Sequence, residues 1–197
     1  MEVRGVPYYC TEGNFKGYRG TITDISARKE AENKALFLSF HDELTGLANR
    51  RALSDHISRY LAEATDTNRA VVVAGVDLDG FKGVNDAYGH LMGDRLLEQV
   101  ASRFELFLRS TDYVYRTGGD EFVVVLTDLE PRSADRVARA VLHRLIEDLS
   151  ALYYVKTVDI RVGASIGIAR FPEQANDPDD LLPVSYTHLT LPTILLV

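Results

Sequence analysis

The sequence predicts an α+β fold: one mostly antiparallel sheet with helices packed on it. Three observations carry this. Ala70-Val71-Val72-Val73-Ala74-Gly75-Val76-Asp77 is a continuous apolar run that suits a strand buried on both faces. Tyr113-Val114-Tyr115 and Phe122-Val123-Val124-Val125-Leu126 flank a Gly-Gly pair and read as a β-hairpin with the glycines at its tip. Apolar residues recur at helical spacing before, between and after these strands, giving the order helix, strand, helix, hairpin, helix, strand.

Along the chain, residues 1–26 are rich in Gly, Tyr and Thr and read as a strand pair with turns at Glu12-Gly13-Asn14 and Lys16-Gly17. That is too little to bury a core alone. Residues 27–41 read as a helix with Ala27, Ala31, Ala35 and Leu38 on one stripe, widened by Leu36 and Phe40. Two readings stand for it: a surface helix packing on its own domain, or a dimeric linker helix of coiled-coil type. Asn49 suits the N-cap of a helix over Arg50 to Glu63. The buried strand follows, then a helix over Leu91 to Leu108 with Leu96, Leu97, Val100, Phe104 and Leu108 on its apolar face. After the hairpin, Ser133 to Leu149 carries a stripe of Val137, Val141, Leu145 and Leu149. Val155 to Arg170 contains one or two strands, ending in Ala164-Ser165-Ile166-Gly167-Ile168-Ala169. Asp179-Asp180-Leu181-Leu182 looks like a helix start. Residues 183–197 have no helical period and two prolines, and they stand apart from the domain.

The 197 residues suffice for one domain plus an appendage. A hydrophobic content of 46% with 26% charged residues fits a soluble globular chain, and no apolar run has the length of a membrane span. The net charge of −7 argues against a general nucleic-acid binder, yet it leaves room for a nucleotide enzyme in which a divalent cation supplies the positive charge. Cys10 is the only cysteine and the histidines are scattered, so neither a disulfide framework nor a zinc cluster is indicated. The expected location is cytoplasmic.

Two stretches carry the chemistry. In Arg116-Thr117-Gly118-Gly119-Asp120-Glu121-Phe122 the glycines let a bulky ligand approach the backbone, and the two acids are costly at a strand start unless a cation answers them. In Val76-Asp77-Leu78-Asp79-Gly80-Phe81-Lys82-Gly83-Val84-Asn85-Asp86-Ala87-Tyr88-Gly89-His90-Leu91-Met92-Gly93-Asp94, Asp77 closes the buried strand. Mg²⁺ takes one or two protein carboxylates plus phosphate oxygens and water, which Asp77 and a hairpin acid would supply if they are neighbours. Lys82 is placed to reach a phosphate, and Asn85 and Asp94 match the hydrogen-bonding edge of guanine. Taken singly, Asp77 reads as a strand-end cap, Asp120 and Glu121 as solvated turn acids, Asn85 as a loop residue and Asp94 as a helix cap. Together, those readings require several coincidences. Arg116 fits either a phosphate contact or an ion pair with a nearby acid.

Asp-x-Asp-x-Phe-Lys-x-x-Asn-Asp-x-x-Gly-His-x-x-Gly-Asp followed by Arg-x-Gly-Gly-Asp-Glu-Phe resembles the GGDEF domain of the diguanylate cyclase family. Asp42-Glu43-Leu44-Thr45-Gly46-Leu47-Ala48-Asn49-Arg50-Arg51 resembles that family's opening motif, and Ser165-Ile166-Gly167-Ile168-Ala169 a later one. The resemblance implies a palm-like fold similar to nucleotidyl cyclases, with a GGDEF domain over 42–182. It implies condensation of two GTP molecules into cyclic di-GMP and two pyrophosphates across a homodimer. It further implies a metal, Mg²⁺ or Mn²⁺, held by Asp77, the Leu78 carbonyl and Asp120, with Glu121 either holding a second metal or helping to deprotonate the attacking 3′-hydroxyl. Guanine contacts would come from Asn85 and Asp94. Phosphate contacts would come from Lys82 and the Phe81 backbone, with Gly118 and Gly119 leaving space for the nucleotide.

Upstream, Gly13 to Ser26 resembles the last strands of a PAS sensor domain and Arg28-Lys29-Glu30-Ala31-Glu32 its exit, which makes 1–26 a PAS fragment and 27–41 a linker helix. Arg109-Ser110-Thr111-Asp112 sits where this family carries a product-binding inhibitory site. The other reading is an ordinary helix-end Arg and strand-start Asp. The family's final helix normally adds a Lys and an Arg on the phosphates, and the 183–197 segment does not resemble it. The alternative function is therefore a catalytically silent module that binds GTP or cyclic di-GMP as a receptor.

Overall fold

The computed structural model describes residues 1–172, so the helix start expected at Asp179-Asp180-Leu181-Leu182 and the 183–197 segment lie outside the described residues. The chain divides into two compact units, Met1–Ser39 and Phe40–Val197.

In the first unit, β1 (Glu2–Tyr9) and β2 (Phe15–Thr23) form an antiparallel pair with Glu2 opposite Thr23 and an irregularity at Tyr8/Tyr9. The connection closes through Cys10 N–H to the Asn14 carbonyl at 2.9 Å. Helix α1 (Ser26–Phe40) follows, started by the Asp24 carboxylate, which accepts from the Ser26 N–H at 2.9 Å. None of its residues is buried.

The second unit is the α+β domain that the hydrophobic patterning predicts. Its five-stranded sheet has the order β3 (Ala48–Asn49), β5 (Tyr113–Gly118), β6 (Glu121–Leu129), β4 (Ala70–Asp77), β9 (Ser165–Phe171). All pairings are antiparallel except β3 with β5. Helix α2 (Arg50–Thr67) covers one face. Ala52, Leu53, Ile57, Tyr60 and Leu61 pack there on Val71, Val73, Val123 and Val125. Helices α4 (His90–Phe107) and α5 (Ala134–Leu149) cover the other. Leu96, Val100, Phe104, Leu142 and Leu145 meet Val72, Ala74, Val76, Phe122 and Val124. Successive residues of β4 and β6 thus alternate between two cores, which is why both strands read as unbroken apolar runs.

Several elements differ from expectation. Helix α2 runs four residues past Glu63 to Thr67 because Ala64 continues its buried stripe, and it ends where Asn68 turns left-handed at φ 52°. A helix, α3 (Phe81–Tyr88), occupies the motif segment, burying Phe81 and Val84. A separate small pair, β7 (Tyr153–Val155) and β8 (Val158–Ile160), precedes β9. Among the described residues no helix is long and apolar enough to cross a membrane.

Candidate functional site

The sheet brings both sequence motifs together where β4 ends and β6 begins. Asp77, the last residue of β4, stands opposite Glu121 of β6 on one side and Ser165 of β9 on the other. The chain stays tethered to the hairpin for one more residue, since the Leu78 N–H donates to the Asp120 carbonyl at 3.3 Å. At the tip, Gly118 and Gly119 adopt φ 150° and 53°, and a Cβ on either would meet nothing within 4 Å. Glycine is therefore demanded by backbone conformation and leaves open space beside Asp120.

Arg116 fixes that turn. Its Nε and Nη2 donate to the Gly119 carbonyl at 3.1 and 2.8 Å, and its Nη1 donates to Asp42 Oδ1 at 2.7 Å. Of the two roles open to Arg116, this geometry is that of the ion pair. Asp42 Oδ1 also accepts from the Thr45 N–H and hydroxyl at 2.9 and 2.6 Å. Burial by itself raises the Asp42 carboxyl, but the bonds from Thr45 and Arg116 outweigh it and hold the group below its ordinary range. The neighbouring Tyr115 hydroxyl lies 2.8 Å from that of Tyr60 and 3.2 Å from His56 Nδ1, locking β5 to α2.

Burial first, then the charges of Asp120, Asp79 and Glu121, push the Asp77 carboxyl above its ordinary value. No ion pair among the described residues involves any of these four acids. Carboxylates without a cationic partner at a half-buried strand end, beside a main-chain carbonyl, form an all-oxygen donor set suited to a hard cation such as Mg²⁺ or Mn²⁺. Among the described residues no three acidic, His or Cys side chains form a ready-made cage. Mg²⁺ does not need one, because it binds through one or two carboxylates and fills the remaining positions with phosphate and water.

Helices α3 and α4 meet at Asn85 and Gly93. A Cβ on Gly93 would stand 2.0 Å from Asn85 Oδ1 and 3.2 Å from the Phe81 ring, so the Asn85 side chain occupies the space that a side chain at 93 would fill. The Asn85 amide oxygen is buried without a hydrogen-bond partner, which leaves an acceptor unsatisfied. Asp94, half-buried, is the next residue of α4. Lys82 is exposed on the first turn of α3, and the Phe81 N–H donates to the Leu78 carbonyl at 3.3 Å.

Arg109 and Asp112 lie at the opposite end of β5 from the glycine tip. Arg109 Nε donates to Asp112 Oδ2 at 2.9 Å and Nη2 to the Thr127 carbonyl at 2.7 Å. The Arg109 side chain is 52% exposed but that of Asp112 only 4%, so Asp112 is mostly turned inward. Burial raises the Asp112 carboxyl in spite of Arg109. A cavity of about 350 Å³ adjoins the pair, walled by Leu106, Phe107, Leu126 and Val141.

Two residues of the site give little local sign in the sequence. Asp42 stands there only within the opening motif, and its partner is 74 positions away. Asp79 binds the Ser165 hydroxyl, and its signal was the Asp-x-Asp spacing.

A family model described as "Diguanylate cyclase, GGDEF domain" matches residues 39–190. The chain belongs to the GGDEF family. Over 152 residues it is 39% identical to the bifunctional diguanylate cyclase/cyclic di-GMP phosphodiesterase MucR of Pseudomonas aeruginosa, covering 77% of this chain and 22% of that protein. Over 130 residues it is 39% identical to diguanylate cyclase DosC of Escherichia coli, covering 66% of this chain and 28% of that protein. The chain thus spans about a quarter of the length of these relatives. The GGDEF fold is shared with a crystal structure of a sensory box/GGDEF family protein from Caulobacter crescentus, with a TM-score of 0.73 and 32% identity over 76% of this chain and 95% of that one.

Proposed function

We propose that this GGDEF domain is a diguanylate cyclase, joining two GTP molecules into cyclic di-GMP. The observation that carries the reading is the convergence of Asp77, Asp120 and Glu121 at one end of the sheet, beside a glycine tip and without a cationic partner. The kinship with DosC supports it.

In the reaction the 3′-hydroxyl of each GTP attacks the α-phosphorus of the other. A new P–O bond forms, the α–β phosphoanhydride breaks, and pyrophosphate leaves with the bonding electron pair. A divalent cation, Mg²⁺ or Mn²⁺, held by Asp77, the Leu78 carbonyl and Asp120, would neutralise charge on the reacting phosphates. Lys82 and the N-terminal N–H groups of α3 draw the phosphates toward the sheet. Asn85 and Asp94 pair with guanine, and the unpartnered Asn85 oxygen is an acceptor available to its N–H groups. Glu121 accepts the hydroxyl proton or holds a second cation. Gly118 and Gly119 give the nucleotide room against the hairpin. Arg116 acts as a positioning residue that fixes the tip.

One domain holds one GTP, so two copies must face each other for turnover. The Arg109–Asp112 pair is read as the inhibitory site for the product, with Arg109 swinging onto the ligand. Residues 1–26 are read as the end of a PAS-like sensor joined through a linker helix at 27–41 to a GGDEF domain beginning at 42, and the protein as a cytoplasmic signalling enzyme. Incubation with GTP and Mg²⁺ should yield cyclic di-GMP, and Asp120→Ala should abolish it. A folded chain that binds GTP without turning it over would instead support the silent receptor.

A further inference from the structure

Asp79 lies two residues beyond Asp77 and is tied three ways to the segment leading into β9. Its N–H donates to the Gly163 carbonyl at 3.0 Å, and its own carbonyl accepts from the Gly163 N–H at 3.0 Å. Its carboxylate accepts from the Ser165 hydroxyl, with Oδ1 and Oδ2 each 2.9 Å from Oγ. A Cβ at Gly163 would stand 3.1 Å from Asp79 Cβ and 3.2 Å from Oδ2, so this close pairing leaves little room for any other residue.

The peptide unit joining Leu78 to Asp79 carries the Leu78 carbonyl at one side and the Asp79 N–H at the other. A planar trans peptide points these two groups in opposite directions. The bond from Asp79 N–H to Gly163 therefore fixes the plane that carries the Leu78 oxygen, which also accepts from the Phe81 N–H at 3.3 Å. The preceding peptide is held from the other flank, by Leu78 N–H on the Asp120 carbonyl. Two successive peptide units are thus anchored to two different segments, with Ser165 directly opposite Asp77 in the sheet register.

We propose that Asp79 and Ser165 are positioning residues for the cation. Their side-chain bond keeps residues 163–165 seated on Asp79, and the Asp79–Gly163 backbone pair then aims the Leu78 carbonyl. This rests on the reading of Asp77, Leu78 and Asp120 as ligands. Groups that orient metal ligands from behind typically contribute about 10–100-fold to metal affinity.

The test measures Mn²⁺ binding by electron paramagnetic resonance on the full chain, with 3′-deoxyguanosine triphosphate as an unreactive nucleotide. Ser165→Ala should weaken Mn²⁺ binding by about tenfold. Ser165→Thr, which keeps the hydroxyl, should restore it, and Asp79→Asn, which keeps one acceptor, should fall between. Independently of any metal, Ser165→Ala should speed hydrogen exchange of the Asp79 amide and leave that of Val73 in the core unchanged. Parental Mn²⁺ affinity in Ser165→Ala overturns the proposal, whether or not the Asp79 amide exchanges faster. Absence of Mn²⁺ binding by the parent chain overturns the metal reading itself, and faster Asp79 exchange would then mark the pair as structural only.

Discussion

Arg116 Nη1 lies 2.7 Å from Asp42 Oδ1, joining the glycine turn of the hairpin to the start of the domain. The Arg116 side chain is 10% exposed and that of Asp42 25%, so the pair is largely withdrawn from water. Removing one partner strands the other. Arg116→Ala should therefore cost about 2 kcal/mol in urea melts, the scale of a part-buried charged group left without its hydrogen-bond partner. Arg116→Lys should recover little, because a single ammonium cannot serve Asp42 and the Gly119 carbonyl with the same fork.

The same pair sets an acid dependence. Asp42 has its carboxyl lowered in the folded protein, so the stabilisation is present above the ordinary value of 3.8 and is lost as pH falls through the folded value. The stability difference between the parent and Asp42→Asn should be constant near neutrality and shrink below pH 3.8. Denaturant melts across that range check it, and a difference that shrinks above pH 5 instead would implicate another group.

Asp77 has the opposite sign. Its carboxyl is raised by burial and by Asp120, Asp79 and Glu121, so ionisation opposes folding as pH climbs above 3.8. Asp77→Asn should melt a few degrees higher than the parent at pH 7 in the presence of EDTA, while losing cyclic di-GMP formation. A lower melting temperature under those conditions would show that the carboxylate is compensated within the chain.

Gly93 is required by closeness to Asn85 rather than by its backbone angles. Gly93→Ala should displace the Asn85 amide and weaken GTP binding by roughly tenfold, the equivalent of about one lost hydrogen bond to a polar ligand. Titration calorimetry on Gly93→Ala, Asn85→Ala and the double variant should give a non-additive cycle. Additive losses would separate the two positions.

Arg109→Ala should raise the cyclic di-GMP concentration needed for half-inhibition by about tenfold or more, as expected for losing a charged fork on a phosphate or guanine. An unchanged inhibition curve would leave Arg109 as the structural tie to Asp112 and Thr127 that its bonds describe.

The layered architecture was legible because Val71 and Val73 face one core while Val72, Ala74 and Val76 face the other, and only a strand covered on both sides reads that way. Helix α3 was not, since eight residues containing Gly83, Asn85 and Asp86 offer weak helical propensity and only Phe81 and Val84 as buried anchors. The acids and the glycine tip were legible from residue type and spacing. The role of Arg116 is not legible locally because its partner arrives through the parallel pairing of β3 with β5, where β3 is two residues long and carries no hydrophobic period. The Asp79–Ser165 bond likewise depends on β4–β9 register, which a single sequence does not encode locally.

Cyclase activity is tested most directly by the stoichiometry of turnover by the 197-residue chain supplied with GTP and Mg²⁺. Cyclic di-GMP and pyrophosphate should appear together, about two pyrophosphates for each cyclic dinucleotide, and neither should form with Asp120→Ala. A folded parent chain that binds GTP yet releases neither product would contradict the cyclase reading.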